Sequence, residues 1–361
     1  MVLVSVVDDD LSLVTPVIYA FKDSISKHII ITKDTPKHQN LATRLKNGIV
    51  KFYQKYNLEQ DTKILLFNEQ FDGSFINKDT MINLTNSPSN IALHITSTAI
   101  KQDGKLFTYD IVSNELVYLN KECFIAKKPL NSKMSLEDFL LLQNYTIKSK
   151  KTALELEKRK KHIFELFSNE SLFKQIKDKL IYEKDFDKAP YQWILQTLKE
   201  LEIVDEKLNL IPHKQHILDG GVFEEYIFWL CFEVGFDDIA LGVMIDFDSE
   251  CNQSDKKIYN EFDILMIKNN QLSTIECKYK QHLEGLELIY KYDSILDYFG
   301  DGIKAMIVNI SSTPKEPFKE SKSSKNFTFS ALKRASIANI KVYHESRVNK
   351  KKLQKMIREY F

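Results

Sequence analysis

Asp263, Glu276 and Lys278 are the residues in this chain whose types and spacing best suit phosphodiester chemistry. Asp263 opens the apolar run Ile264-Leu-Met-Ile267, Lys268-Asn-Asn-Gln271 reads as a tight turn, and Leu272-Ser-Thr-Ile275 leads to Glu276 and Lys278. Two short apolar runs about a polar turn predict a β-hairpin over residues 258–280. Side chains alternate along a strand, so Glu276 and Lys278 share one face and Cys277 takes the other. Two carboxylates suit a hard divalent cation, Mg2+ or Mn2+, through oxygen ligands. Such a cation lowers the pKa of a bound water and neutralises charge on a phosphoryl oxygen. Lys278 can orient or deprotonate that water, or stabilise negative charge on the phosphate. An acid two places before a lysine is also an ordinary way for a strand to end. Asp263, set against a dense apolar run, and Glu224, upstream at a helix start, distinguish this set.

The elements that must position these groups can be read outward from the hairpin. Gly220-Gly221 precede a helix over 222–230 that is apolar on most of its surface, which predicts burial against a sheet. A carboxylate there is costly unless paired or bound to metal, and Glu224 is preferred over Glu225 for that role. A strand over 241–247 comes before the hairpin. After it come a helix over 286–298, with Lys291 expected toward the metal face, and a strand over 305–310. A charged polar segment over 315–325, a helix over 329–337, a strand over 340–343 and a basic amphipathic helix over 350–361 complete the chain. That last helix can shelter the sheet or meet nucleic-acid backbone.

The first half reads differently. A continuous apolar run, residues 2–7, predicts a buried parallel strand, followed by a helix over 11–21. A strand over 28–32, a helix over 41–56 entered at Thr35-Pro36, a strand over 62–67 and a helix from Ile91 follow. This alternation predicts a doubly wound α/β unit, whose ligands sit beyond the carboxyl ends of the strands at the switch in strand order. No GxGxxG follows the first strand. Asp8-Asp-Asp10 stands there instead and is expected to cap the next helix rather than hold phosphate. Asn83-Leu-Thr-Asn-Ser-Pro-Ser-Asn90 reads either as a phosphate- or base-cradling loop at a helix start or as a capped polar turn. A hairpin over 104–119 and a helix capped by Ser135 close a first domain, residues 1–148. A connector, residues 149–215, is expected to begin as a solvated lysine- and glutamate-rich helix and continue as short helices. These helices are expected over 172–180, 191–201 and 203–210, and Asp205-Glu-Lys-Leu-Asn209 resembles the wing of a winged helix, used here for packing rather than DNA reading. The second domain spans 216–361.

Composition bounds the function. A chain of 361 residues is long for one core and suits two domains. A net charge of +1 gives no argument for a nucleic-acid partner, although local basic patches remain open to it. Lysine outnumbers arginine, so phosphate contacts would be point charges more than planar forks. Cys123, Cys231, Cys251 and Cys277 lack CxxC spacing, so neither a zinc site nor a disulfide framework follows. The apolar stretch 226–236 is too short to span a membrane, the first residues read as a strand, and the expected compartment is the cytoplasm.

Helix glutamate, strand aspartate and Glu-x-Lys on the next strand together resemble the PD-(D/E)xK nuclease superfamily. The wording Gly-Gly-Val-Phe-Glu-Glu-Tyr226, Asn-Glu-Phe-Asp-Ile264 and Ile-Glu-Cys-Lys278 resembles one group within it more closely. That group is the ancillary nucleases of type III CRISPR systems, in which a CRISPR-associated Rossmann-fold (CARF) sensor precedes the nuclease. The resemblance covers nearly the whole chain. It implies that Glu224, Asp263, Glu276 and the Cys277 carbonyl arrange Mn2+ or Mg2+, with Lys278 as the catalytic lysine. It also implies a homodimer in which a cyclic oligoadenylate, usually cyclic tetra-adenylate, binds across the two sensors. Implied substrates are single-stranded DNA and RNA, with nicking of supercoiled duplex DNA in some members. The activator would meet Asp10, Leu11 and Ser12 of the first loop and Asn83, Thr85, Asn86, Ser87 and Ser89 of the second. Such sensors commonly carry Asn-x-Thr-Gly-Gly-Thr-Lys there; this chain keeps Asn83 and Thr85 but replaces both glycines and the lysine, which alters the charge and N–H donors offered to phosphate. A reading from another class is a binding protein with a CARF-like sensor and an inactive nuclease fold.

Overall fold

The computed structural model describes residues 1–68, 71–119, 125–183, 185–247, 259–279, 285–300, 302–310 and 327–361. Cys123, Cys251, Lys280 and the charged segment 315–325 lie outside them.

The first half runs β1 (Val2–Val7), α1 (Thr15–Phe21), β2 (Lys27–Lys33), α2 (Pro36–Lys55), β3 (Asp61–Phe67), β4 (Thr80–Asn83), α3 (Ser89–Gln102), β5 (Lys105–Asp110), β6 (Glu115–Leu119), β7 (Ile125–Pro129) and α4 (Leu136–Leu142). Its sheet has the order β3-β2-β1-β4-β5-β6-β7. The strands from β3 to β5 are parallel, and β6 and β7 add antiparallel at one edge. The switch in strand order falls between β1 and β4, where a doubly wound sheet opens its ligand crevice.

Three local readings change. Helix α1 starts at Thr15 because residues 11–14 are spent in a turn, and Asp8–Asp10 cap no helix. Asp8 pairs with Lys33 at 2.6 Å and Asp9 with Lys37 at 2.7 Å, while Asp10 accepts the Ser12 N–H at 2.6 Å. Two strands escape the sequence reading. β4 is four residues long, too short for its period to register, and every residue of β7 is exposed.

The second half runs β8 (Thr146–Lys151), α5 (Ala153–Ser168), α6 (Glu170–Tyr182), α7 (Gln192–Glu200), α8 (Val222–Val234), β9 (Asp238–Asp246), β10 (Tyr259–Lys268), β11 (Gln271–Lys278), α9 (Gly285–Leu296), β12 (Lys304–Ile310), α10 (Phe329–Ile337), β13 (Ile340–Glu345) and α11 (Lys350–Tyr360). Its sheet has the order β13-β12-β11-β10-β9-β8. The start of the expected solvated linker is therefore an edge strand, with Lys148 paired to the buried Asp246 at 3.1 Å. The helix comes only after it, opened by the Thr152–Glu155 capping box. The short helices expected over 172–180 and 191–201 form as α6 and α7, but 203–210 is a turn and not a helix, closed by a bridge between Val204 and Leu210.

One face of the second sheet is covered by α5–α8 and α11, with Ile163, Phe223, Ile227, Trp229, Leu353 and Ile357 buried together. The other face packs on α9 and α10. There Phe262, Leu265 and Ile307 join one apolar cluster with Leu45, Phe52 and Phe139 of the first half. The two halves thus share a core. No helix among the described residues is long and apolar enough to cross a membrane.

Candidate active site

Asp263, Glu276 and Lys278 sit where two strands part. β10 and β11 pair antiparallel from Lys268–Gln271 up to Ile264–Ile275, and their turn residues Asn269 and Asn270 both have positive φ, as a two-residue hairpin turn requires. Beyond Ile275, β11 stays with β12 as far as Lys278–Asn309 and leaves β10 behind. The gap is filled by Asp263, whose Oδ2 accepts the Cys277 N–H at 2.7 Å. A kink helps to aim it. Gly242, beside Asp263 on β9, has a φ of 59°, and at this level the buried side chains of β9 and β10 change sides of the sheet. Leu241 and Ile264 face the α8 layer, whereas Val243 and Phe262 face the shared core.

Alternation on β11 holds as expected. Cys277 is buried in the α8 layer, and Lys278 turns to the carboxylates, with its Nζ 2.5 Å from Glu276 Oε1 and 3.7 Å from Asp263 Oδ2. Tyr292 of α9 braces the strand on the face that carries Glu276, its hydroxyl 2.8 Å from that of Thr274, which donates to the Ile264 carbonyl at 3.0 Å. Lys291, expected toward this face, is exposed on α9; the buried position is Tyr292.

Glu224 enters from α8, immediately after a π-turn at Ile217–Gly221. A Cβ on Gly220 would come within 3.2 Å of Glu224 Oε1, so the glycine keeps the path to the carboxylate open. The neighbouring Glu225 is committed elsewhere. It is almost wholly buried and takes Arg159 in a fork, with Nε at 3.1 and 2.9 Å from its two oxygens and Nη2 at 2.9 Å. One glutamate faces the site and the next ties α5 to α8.

The electrostatics report an excess of negative charge. Burial pushes the Asp263 carboxyl up to about 8, reinforced by Glu276 and Glu224 and opposed by Lys278 and the Cys277 N–H. Burial raises Glu224 too, with Lys278 opposing and Glu261 and Glu276 adding to the rise. Burial alone would lower Lys278, but Asp263 and Glu276 outweigh it and hold the ammonium above its ordinary range. Lys278 is therefore a fixed positive charge at neutral pH. Three carboxylates against one lysine leave a pocket of oxygen donors short of positive charge, which fits a hard divalent cation. Sequence reasoning missed Glu261 and Lys151, which both act on Glu224. Glu261 lies two places before Asp263 on β10, and Lys151 lies on the strand that had read as linker.

The first-half loops meet at the strand-order switch. Asn83 and Thr85 are buried, and Asn83 Oδ1 accepts both the N–H and the hydroxyl of Thr85, at 3.0 and 2.5 Å. Asn86 has a φ of 56° and is exposed, as is Ser89, the first residue of α3. No side chain caps α3, so the capped-turn reading of this loop does not hold. Among the described residues, Asn83 Nδ2, Ser87 Oγ and Ser12 Oγ are buried polar atoms without a hydrogen-bond partner. Asp10, Leu11 and Ser12 follow β1 but are buried against the second half. Asp10 Oδ2 accepts the Gly302 N–H at 3.2 Å, and Leu11 lies in the shared core. A Cβ on Gly300 or Gly302 would collide with Asp10 or Ser12. Asp8, Asp9 and His38 also bring ligating atoms within 4.8 Å of one another, but Lys33 and Lys37 already neutralise them.

Residues 212–322 match the model of the Card1-like endonuclease domain. Among solved structures, the fold is similar to that of protein VC1899 from Vibrio cholerae, with a TM-score of 0.71 and 16% identity over 99% of this chain and 95% of that one. It is similar to Can2 from Sulfobacillus thermosulfidooxidans, solved in complex with cyclic tetra-adenylate, with a TM-score of 0.67 and 16% identity over 99% and 98% of the two chains. A type III CRISPR defence DNA nuclease activated by cyclic oligoadenylate aligns with a TM-score of 0.51 and 13% identity, over 92% of this chain and 52% of that one. No curated protein sequence matches. The chain thus shares the two-lobed fold of these structures, and its second lobe holds the segment that matches the Card1-like endonuclease domain.

Proposed function

We propose that this chain is a Card1-like nuclease that hydrolyses phosphodiester bonds of DNA and RNA when a cyclic oligoadenylate occupies its sensor half, acting in type III CRISPR defence. The observation that carries the reading is the convergence of Glu224, Asp263 and Glu276 on one lysine at the fork of β10 and β11. Glu224, Asp263, Glu276 and the Cys277 carbonyl would hold Mn2+ or Mg2+. That ion would supply a water of lowered pKa and a counter-charge for the phosphoryl oxygen. Asp263 is oriented for this by the Cys277 N–H, and Lys278 holds its proton and offers positive charge to the oxygen on which charge develops. Single-stranded DNA and RNA are the proposed substrates, with duplex nicking as a further activity.

For the sensor, Asn83 Nδ2, Ser87 Oγ and Ser12 Oγ, which have no hydrogen-bond partner among the described residues, and the start of α3, which has no side-chain cap, support a ligand rich in polar and phosphate oxygens. Cyclic tetra-adenylate is the proposed activator, bound by Asn83, Thr85, Asn86, Ser87, Ser89 and the Asp10-Leu11-Ser12 turn across a cytoplasmic homodimer. The test is cleavage of fluorescent single-stranded DNA and RNA in Mn2+, without activator and with cyclic tri-, tetra- or hexa-adenylate, beside Lys278→Ala. Cleavage that needs one ring and vanishes in the variant is the expected result. Ring-independent cleavage would remove the sensor role. No cleavage of any substrate by folded protein, together with ring binding, would leave a binding protein.

A further inference from the structure

The hairpin that carries Asp263, Glu276 and Lys278 is held at its far end by the sensor half. Its turn residue Asn270 is 1% exposed, and both ends of its amide are used across the boundary between halves. Oδ1 accepts the Met134 N–H at 3.0 Å, and Nδ2 donates to Asn114 Oδ1 at 3.2 Å. Asn114 Oδ1 also accepts the Tyr109 hydroxyl at 2.9 Å, and that hydroxyl lies 3.4 Å from the Asn269 carbonyl. Tyr109 in turn donates its N–H to Thr85 Oγ1 at 2.7 Å, and Thr85 is tied to Asn83 at the ligand crevice. An unbroken series of hydrogen bonds therefore runs from crevice to hairpin turn.

From the turn, the paired strands of β10 and β11 act as a stiff ribbon. At about 3.4 Å per residue, the six residues from Asn270 to Glu276 span roughly 20 Å. A displacement of Thr85 has a direct route to the fork, because Thr85, Tyr109 and Asn270 are buried and packed interiors resist gradual deformation.

We propose that the Tyr109–Asn114–Asn270 junction is the coupling element through which the sensor crevice positions the catalytic hairpin. The proposal rests on the function given above and adds the route by which that site is regulated. Tyr109 and Asn270 touch neither substrate nor the metal-holding carboxylates; they are positioning residues. An unbroken series of contacts is not by itself a coupling, so the test must read coupling separately from binding and from fold.

Two variants isolate the junction. Tyr109→Phe keeps the ring and removes the hydroxyl. Asn270→Gly keeps the backbone at its φ of 62°, where glycine is at ease, and removes the amide. In full-length protein, cyclic tetra-adenylate affinity and ring-free cleavage should each stay within about twofold of wild type. Activation by the ring should fall at least tenfold in either variant, and the double variant should lose no more than the worse single. Retained activation in both variants overturns the proposal, as does a double variant whose losses multiply. Equal losses of ring-free and ring-stimulated cleavage would make the junction merely structural and overturn it too. If Asn270→Gly fails to fold, Tyr109→Phe decides alone. Wild type that binds no ring and cleaves equally with and without it would instead remove the functional reading, and this proposal with it.

Discussion

The adjacent glutamates of α8 give a crossed prediction. Glu224→Gln and Glu225→Gln are the same chemical change one residue apart, and the structure assigns them opposite consequences. Glu225 is buried in a forked pair with Arg159, which also donates to the Leu201 carbonyl at 3.2 Å. Breaking a buried pair costs about 3–5 kcal/mol, and the lower end applies because the Arg159 side chain, 29% exposed, can regain water. The core spans both halves, so 361 residues are taken to unfold together, with an unfolding entropy of roughly 0.8 kcal/mol/K. A loss of about 3 kcal/mol then lowers Tm by about 4 °C. Cleavage by the folded protein should stay near wild type. Glu224→Gln removes a carboxylate that burial and like charge already hold above its ordinary range, so metal-free Tm should stay or rise. Its cleavage should fall by about a hundredfold. Scanning calorimetry in EDTA and reporter cleavage in Mn2+ read the two properties separately. An intact Tm with abolished cleavage in Glu225→Gln, or the reverse pattern in Glu224→Gln, would refute the assignment.

Four further outcomes follow from the same geometry. Asp263 keeps its proton to about pH 8 in the metal-free fold but loses it near 3.8 when unfolded, so the native state binds more protons in between. Metal-free stability should therefore fall as pH rises from about 4 to about 8, more steeply than in Asp263→Asn, as thermal melts in EDTA would register; equal slopes would contradict the burial argument. Stabilisation by Mn2+ should grow over the same window, because binding releases the proton, and melts at fixed Mn2+ would detect its absence. Lys278→Met, which keeps the length but not the charge, should cut cleavage by at least about a hundredfold while leaving cyclic tetra-adenylate binding within twofold. Asn83→Ala with Thr85→Ala should weaken ring binding by tenfold or more and leave Mn2+ affinity unchanged, both measurable by calorimetry; an unaltered ring titration would exclude that loop.

The hairpin was legible because its information is local. An apolar run, two asparagines able to adopt positive φ and a second run specify β10, turn and β11 without reference to the rest of the chain. Alternation then dictated that Glu276 and Lys278 leave one face and Cys277 the other. The doubly wound first half was legible for the same reason, since buried parallel strands and amphipathic helices carry their periods in the sequence. What needed the tertiary structure was everything set by a partner distant in the chain. Lysine-rich residues 148–151 read as solvated until β9 supplied a strand to pair with and Asp246 a counter-charge. Glu225 became structural only because Arg159, 66 residues earlier, reached it. Asp10 looked like a local cap or a ligand-loop residue, and the fold commits one of its oxygens to Gly302. The fork that aims Asp263 arises because β11 keeps β12 while leaving β10, a competition between strands that no single segment encodes. Residue types and local periods supplied the chemical groups; long-range pairing and burial decided which of them face one another and at what charge.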